Sequence, residues 1–321
     1  MAKKTLPQFG IEYDQCGIRG ARVVMERVGD DELRVLDTVE EITGDFSTGE
    51  ELLAGLKQLR EKLAAAAGGF LATCIGGKEV YAARLAFRRL PDNEMANALR
   101  LEMRKSLPFE LSSSTMDFQI MDSGERKDDK VDVLVAVVAD ALMSRHLKVL
   151  EKAGLKPEIV DVLPTAIANA LNISLGDEAE EGIAHLALHI GPSMSTVVFD
   201  GAGVPFFTRS IYFDAQRIFN GKEKAERMSE RERSSKTETF LGEITRSLSF
   251  YEHTYKVSRF GRMALMGDFS DRADLRMMIA ERAGLQPLTS SPASRMGAAG
   301  MAPPGKLDLA VALASRGSTL A

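Results

Sequence analysis

A strand–strand–strand–helix order occurs twice in this chain of 321 residues, with openings about 175 residues apart, and no other feature restricts the fold as much. In the first copy, Phe9 to Tyr13 and Ala21 to Glu26 read as strands around a tight turn with Gly17 and Gly20. Leu33 to Val39 follows the Gly29-Asp30-Asp31 turn. The helix is "GEELLAGLKQLREKL", whose Leu52, Leu56, Leu59 and Leu63 recur at helical spacing, with Gly68-Gly69 beyond its end. "GFLATCIGG" is then a buried strand. In the second copy "IAHLALHIG", "MSTVVFDG" and "GVPFFTRSI" form the meander, and "TFLGEITRSLSFYEHTY" is the helix. "RMALMGDF" and "DLRMMIAERAGL" add a strand and a helix. Solenoid repeats are far shorter than this period, so the pattern is that of a duplicated α/β domain.

A compact unit is inserted between the copies. "ARLAFRRL" is a strand, and the helix starting at Pro91-Asp92 places Met95, Leu99 and Met103 on one face. "SLPFE" ends it, since Pro108 cannot sit in a helix interior. "TMDFQIM" and "DVLVAVVA" are strands joined by the charged tip "DSGERKDDK". "DALMSRHLKVLEKAGL" is a helix capped by Gly154, followed by the strand "PEIVDVLP" and the helix "TAIANALNI". The boundaries expected are a first lobe over 1–82, a module over 83–160, a return to the first lobe over 161–182, and a second lobe over 183–321.

Composition removes several classes of function. A net charge of −5 gives no general attraction to nucleic acid or anionic lipid. Cys16 and Cys74 are too few for a disulfide framework. The start "MAKKTLPQFG" lacks a signal-peptide core, and no run approaches the roughly 18–20 apolar residues of a membrane helix. A cytoplasmic protein is expected, with membrane contact only through partners.

Three segments carry a resemblance: "LRLEMRKSLPFELSSSTMDFQI", "LVAVVADALMSRHLKVLEKAGLKPEIVDVLPTAIANAL" and "LGEITRSLSFYEHTYKVSRFGRMALMGDFSDRADL". Together they resemble the PilM family of type IV pilus assembly proteins, relatives of FtsA in the actin-like superfamily, over nearly the whole chain. The resemblance implies an actin-like (ribonuclease H-like) duplicated two-lobe α/β fold around a nucleotide cleft, with an inserted strand–helix–strand–strand module. It implies a protein at the cytoplasmic face of the inner membrane, holding the N-terminal cytoplasmic peptide of a PilN-like partner and linking it to pilus assembly motors.

The nucleotide loops depart from the pattern that the resemblance implies. The first loop, like GIDIGSSSVK in the family, has its acid at Glu12, Asp14 at a glycine position, Gln15-Cys16-Gly17 in place of the serine run, and Arg19 at the lysine position. The second keeps Gly191, Ser193, Ser195 and Thr196 but has His189 at the acid and Pro192 in the loop. The third retains Gly267, followed by Asp268. Phosphate requires backbone N–H groups at close range, which glycine permits and larger side chains block. Asp14 and Asp268 bring negative charge, Pro192 removes a donor, and a neutral imidazole is a poor substitute for a magnesium-holding carboxylate. The expectation is a degenerate site without ATP hydrolysis and without a cofactor. ATP with magnesium enters only if Cys16-Gly17 or Ser193 still cradle phosphate.

Other candidates reduce to plainer roles. His185 and His189 share one strand face but lack a third zinc ligand, while His146 and His253 sit alone on helices. Cys16 has no activating partner and reads as an apolar filler. "GKEKAERMSERERSSKTET" is a motor-contact arm or a solvated helix, "TSSPASRMGAAGMAPPGK" a flexible loop, and "LDLAVALA" a core helix. The family places its peptide groove between the first lobe and the module. On that implication Arg100 and Arg104 would meet acidic or carbonyl groups, with Leu107 and Phe109 lining apolar pockets. The competing reading has Leu107, Pro108 and Phe109 capping the module's own core.

The expected role is a cytoplasmic scaffold of a type IV pilus platform. Two alternatives stay open: an active actin-like ATPase whose nucleotide state controls partner binding, and a GspL-like cytoplasmic domain of a type II secretion platform.

Overall fold

The computed structural model describes residues 6–28, 31–65, 68–121, 130–220, 228–298, 300–301 and 304–316. The tip 122–129 and the first part of the charged stretch from Gly221, residues 221–227, lie outside these.

Two five-stranded sheets repeat one topology. In the first, β1 (Gln8–Tyr13), β2 (Gly17–Val28) and β3 (Asp31–Thr43) form an antiparallel meander. After α1 (Gly49–Lys62), the strand β4 (Phe70–Ile75) returns parallel to β1, and with the edge strand β8 (Ile159–Val162) the order is β3-β2-β1-β4-β8. In the second sheet β9 (Ala184–Ile190), β10 (Met194–Asp200) and β11 (Phe207–Tyr212) make the meander. The short α5 (Ala215–Asn220) and the long α6 (Glu230–Tyr255) intervene, and β12 (Phe260–Met266) returns parallel to β9. The order is β11-β10-β9-β12-β13, with α7 (Ala273–Ala283) leading to β13 (Gln286–Pro287). Gly17 and Gly20 belong to β2 rather than to the turn, which is Asp14–Cys16. A Cβ at Gly20 would lie 2.6 Å from Leu63 Cδ1, so α1 packs closely enough there to demand glycine.

The inserted sheet has the order β5-β7-β6, from β5 (Val80–Arg88), β6 (Ser114–Met121) and β7 (Lys130–Ala139). On one face lies α2 (Asp92–Met103), whose Met95, Leu99 and Met103 are buried against Val133, Val135 and Val137. The expectation over 83–160 carried two elements too many into this unit. Leu150 of α3 (Asp140–Lys152) joins the core formed with Leu56 and Leu59 of α1, and β8 (Ile159–Val162) pairs with β4. Their apolar faces complete the first lobe's core.

Two helices cross between the lobes, which a division by position in the chain could not show. The helix α4 (Leu163–Leu175) packs on β9 and β10, while α9 (Asp308–Ala314) packs on β1 and β2. Ala166, Ile167, Leu171, Ala187, Val198, Leu309 and Leu313 share one core. A Cβ at Gly10 would lie 2.0 Å from the Ala310 carbonyl oxygen, so glycine permits the α9 contact. The stretch expected as a flexible loop holds α8 (Pro292–Arg295), with a capping box between Ser291 and Ser294. Arg295 fastens it by donating to the Ser174 and Leu175 carbonyls at the end of α4.

Candidate functional site

The floor of the inter-lobe cleft is built on a charged ladder. Arg19 on β2 lies in register with Glu12 on β1 and Glu41 on β3, so all three side chains share one sheet face. Arg19 is fully buried. It donates to Glu12 and Asp14 at 3.4 Å from Nη1, and to Glu41 at 3.3 Å from Nε. Its Nη2 forms an ion pair with Asp268, which follows β12 in the other lobe. One guanidinium thus holds four carboxylates and ties the lobes together. Gly17 makes room for it, since a Cβ there would lie 2.5 Å from Nη2.

Burial opposes charge on Arg19 and on Glu12, and the neighbours modulate the outcome. Desolvation pulls the Arg19 pKa down, but Glu12, Asp14 and Glu41 more than offset it, leaving Arg19 above its ordinary value. Burial pushes Glu12 up to about 7, despite the opposing pull of Arg19. His189 is driven down to about 4 by desolvation and is neutral. Neither of its ring nitrogens has a hydrogen-bond partner among the described residues, although only 5% of the residue is exposed.

The first loop spends its donors on itself. Asp14 Oδ1 accepts from the Cys16 N–H at 2.7 Å and the Gly17 N–H at 3.0 Å, and the Asp14 N–H donates to the Gly17 carbonyl at 2.9 Å. This is an Asx-type turn, which explains an aspartate at a glycine-like position. In the second loop the Gly191 N–H donates to the Met194 carbonyl at 3.2 Å, and Pro192 has no N–H. Gly267 has φ +88°, and a Cβ there would lie 2.6 Å from the Ile190 carbonyl oxygen and 2.9 Å from His189 Nε2.

A cavity of about 390 Å³ opens beside this floor. Glu12, Asp14, His189, Gly191, Ser193 and Thr196 line it. Gly17, Arg19, Ser195, Gly267 and Asp268 lie outside its wall, and Ser195 Oγ is buried without a hydrogen-bond partner. The sequence reading missed Glu41 and the apolar wall of Tyr13, Phe46, Leu52, Leu163 and Met194. Glu41 comes to light only through the pairing of β2 with β3, which sets it beside Arg19.

His146 is not alone on its helix. Its Nδ1 lies 2.7 Å from the Tyr13 hydroxyl, and burial pushes its pKa down to about 4. His185 Nδ1 accepts the Arg262 N–H at 3.0 Å, and His253 Nδ1 lies 2.8 Å from the Ser249 carbonyl oxygen. Burial, then Asp14, raise Cys16 to about 11, which suits an inert thiol.

The module carries a second concavity of about 590 Å³, lined by Arg104, Leu107, Pro108, Phe109, Glu110, Leu111 and Ser112. Leu107 and Phe109 are half-buried against the module's core, as the capping reading expects, yet each also faces this concavity. Arg104 is exposed at its edge, and Arg100 does not line it.

The family described as type IV pilus assembly protein PilM matches residues 35–228. Among solved structures, the chain resembles one described as the PilM–PilN type IV pilus biogenesis complex. The TM-score is 0.74 at 17% identity, with 99% of each chain covered. It also resembles the ethanolamine utilization protein EutJ from Carboxydothermus hydrogenoformans, with a TM-score of 0.48 at 11% identity over 98% of this chain and 93% of the other. A Bacteroides thetaiotaomicron protein with an actin-like ATPase fold gives 0.47 at 11% identity over 88% and 90%. The first of these likenesses, with the duplicated sheets, makes the fold actin-like; the other two are too distant to bear on function.

Proposed function

This chain belongs to the family of type IV pilus assembly proteins PilM, and from that premise we propose that it is a nucleotide-independent scaffold of a pilus assembly platform. It holds the N-terminal cytoplasmic peptide of a PilN-like inner-membrane protein and relays that anchorage to the assembly motors. Among the described residues no helix is long and apolar enough to cross a membrane; in this reading the membrane is reached through the PilN-like partner.

The observation that carries the loss of nucleotide is the Asp14 turn. Two amides that a phosphate would need are hydrogen-bonded to Asp14 Oδ1, and the same carboxylate would lie against the phosphate charge. Magnesium fits no better. The imidazole of His189 stands at the acid position, and Asp14 and Asp268 are already paired with Arg19. No hydrolytic step follows from these residues.

The peptide seat proposed is the concavity over 104–112, where exposed Arg104 meets acidic or carbonyl groups and Leu107 and Phe109 offer apolar contact. Calorimetric titration tests both halves of the reading. Mg-ATP is expected to give no heat. A peptide copying the N-terminus of a PilN-like protein is expected to bind, and Arg104→Glu to weaken it about tenfold. Micromolar Mg-ATP binding refutes nucleotide independence. Peptide binding unaffected by Arg104→Glu refutes the proposed seat.

A further inference from the structure

We propose that the cleft cavity beside Glu12 and Asp14 binds a primary ammonium group on an apolar stem, whether a free alkyl polyamine or a lysine side chain. The inference rests on the reading that nucleotide does not occupy the cleft.

The charge balance points first to a cation. Four carboxylates share the single guanidinium of Arg19, and two of them, Glu12 and Asp14, also line the cavity. Among the described residues no lysine or arginine lines it. Carboxylates held this far from water are stabilised by any further positive charge that reaches them.

His189 supplies an independent sign of a ligand. It lies in the cavity wall, 5% exposed, with both ring nitrogens lacking a hydrogen-bond partner among the described residues. An unpaired buried imidazole is costly, and a neutral one accepts a hydrogen bond from an N–H donor.

The remaining walls describe the body of the ligand. Phe46, Leu52, Leu163 and Met194 are apolar, and Tyr13 and Phe46 offer aromatic surface of the kind that attracts ammonium groups. About 390 Å³ is far more than a bare metal ion needs. The donor atoms of Asp14, Cys16 and Asp268 lie within 4.8 Å of one another, but Arg19 already pairs with two of these residues. Cys16 and Asp268 also lie outside the cavity wall. An alkyl ammonium satisfies the acids, the imidazole and the apolar walls together.

The test is calorimetric titration of the full chain with putrescine, with the tripeptide amide Gly-Lys-Gly, and with Mg-ATP. Two variants serve as controls. Asp14→Asn keeps an oxygen to accept the Cys16 and Gly17 amides but removes the charge. Gln15→Lys places a competing ammonium at the exposed rim. Expected is salt-sensitive binding of putrescine or the tripeptide, weakened about tenfold by each variant, and the preferred probe identifies the source. No heat from either amine, or binding that neither variant changes, overturns the proposal. Heat from Mg-ATP instead refutes the exclusion of nucleotide, whatever the amines do.

Discussion

Removing Arg19 tests the central claim about the cleft floor, and Arg19→Met is the sharpest perturbation because it keeps a long side chain while deleting the charge. Glu12, Asp14, Glu41 and Asp268 would then face one another with no cation among them. Stranding a buried partner typically costs about 3–5 kcal/mol. Part of that cost depends on protons. Glu12 is already pushed up to about 7 with Arg19 present, and losing the guanidinium pushes it higher. Its folded pKa exceeds the unfolded value, so the folded state gains from the proton below that pKa and loses the gain as pH rises through it. The variant should therefore be destabilised by about 3–5 kcal/mol near pH 8 and by much less near pH 5.5. Urea denaturation of both proteins at the two pH values, followed by circular dichroism, measures this. A loss below about 1 kcal/mol at pH 8, or one independent of pH, would refute the reasoning.

Further expectations concern separate parts of the molecule. Glu12→Gln removes a carboxyl whose pKa rises from 4.5 to about 7 on folding, a shift worth about 3 kcal/mol. In urea titrations the variant should lose more stability than the wild type between pH 8 and 5.5, because protonation of Glu12 offsets part of the cost of keeping His146 and His189 neutral in the fold. Gly10→Ala drives a methyl group into the Ala310 carbonyl, and should loosen α9 at a cost of about 1–3 kcal/mol or more, seen as earlier proteolysis near the C-terminus. Leu99→Ala opens a void under α2 at a fully buried position and should cost about 2–5 kcal/mol. Hydrogen exchange should report that loss in β6 and β7, with β9 and β10 unchanged.

Much of the architecture was legible because it is periodic. The leucines of α1 and the Met95-Leu99-Met103 face of α2 repeat at helical spacing, so each helix announces its buried side, while β1, β9 and β10 are short apolar runs buried nearly throughout. The residue types at Asp14, at His189 near the end of β9 and at Asp268 were also visible, because the chemistry of a single position can be read without knowing its neighbours. The α8 turn was misread as a flexible loop because its small residues look like linker. They are ordered by a distant contact, from Arg295 to the end of α4.

Local order along the chain therefore determined the two meanders, their helices and the inserted module. Only the tertiary structure decided that α4 and α9 pack across the lobes, that Arg19 joins acids from β1, β3 and the far side of the cleft, and that Asp14 closes its own loop. A hydrophobic period constrains residues a few positions apart. Which charge is buried against which depends on strand register and on contacts across hundreds of residues, and those exist only once the chain has folded.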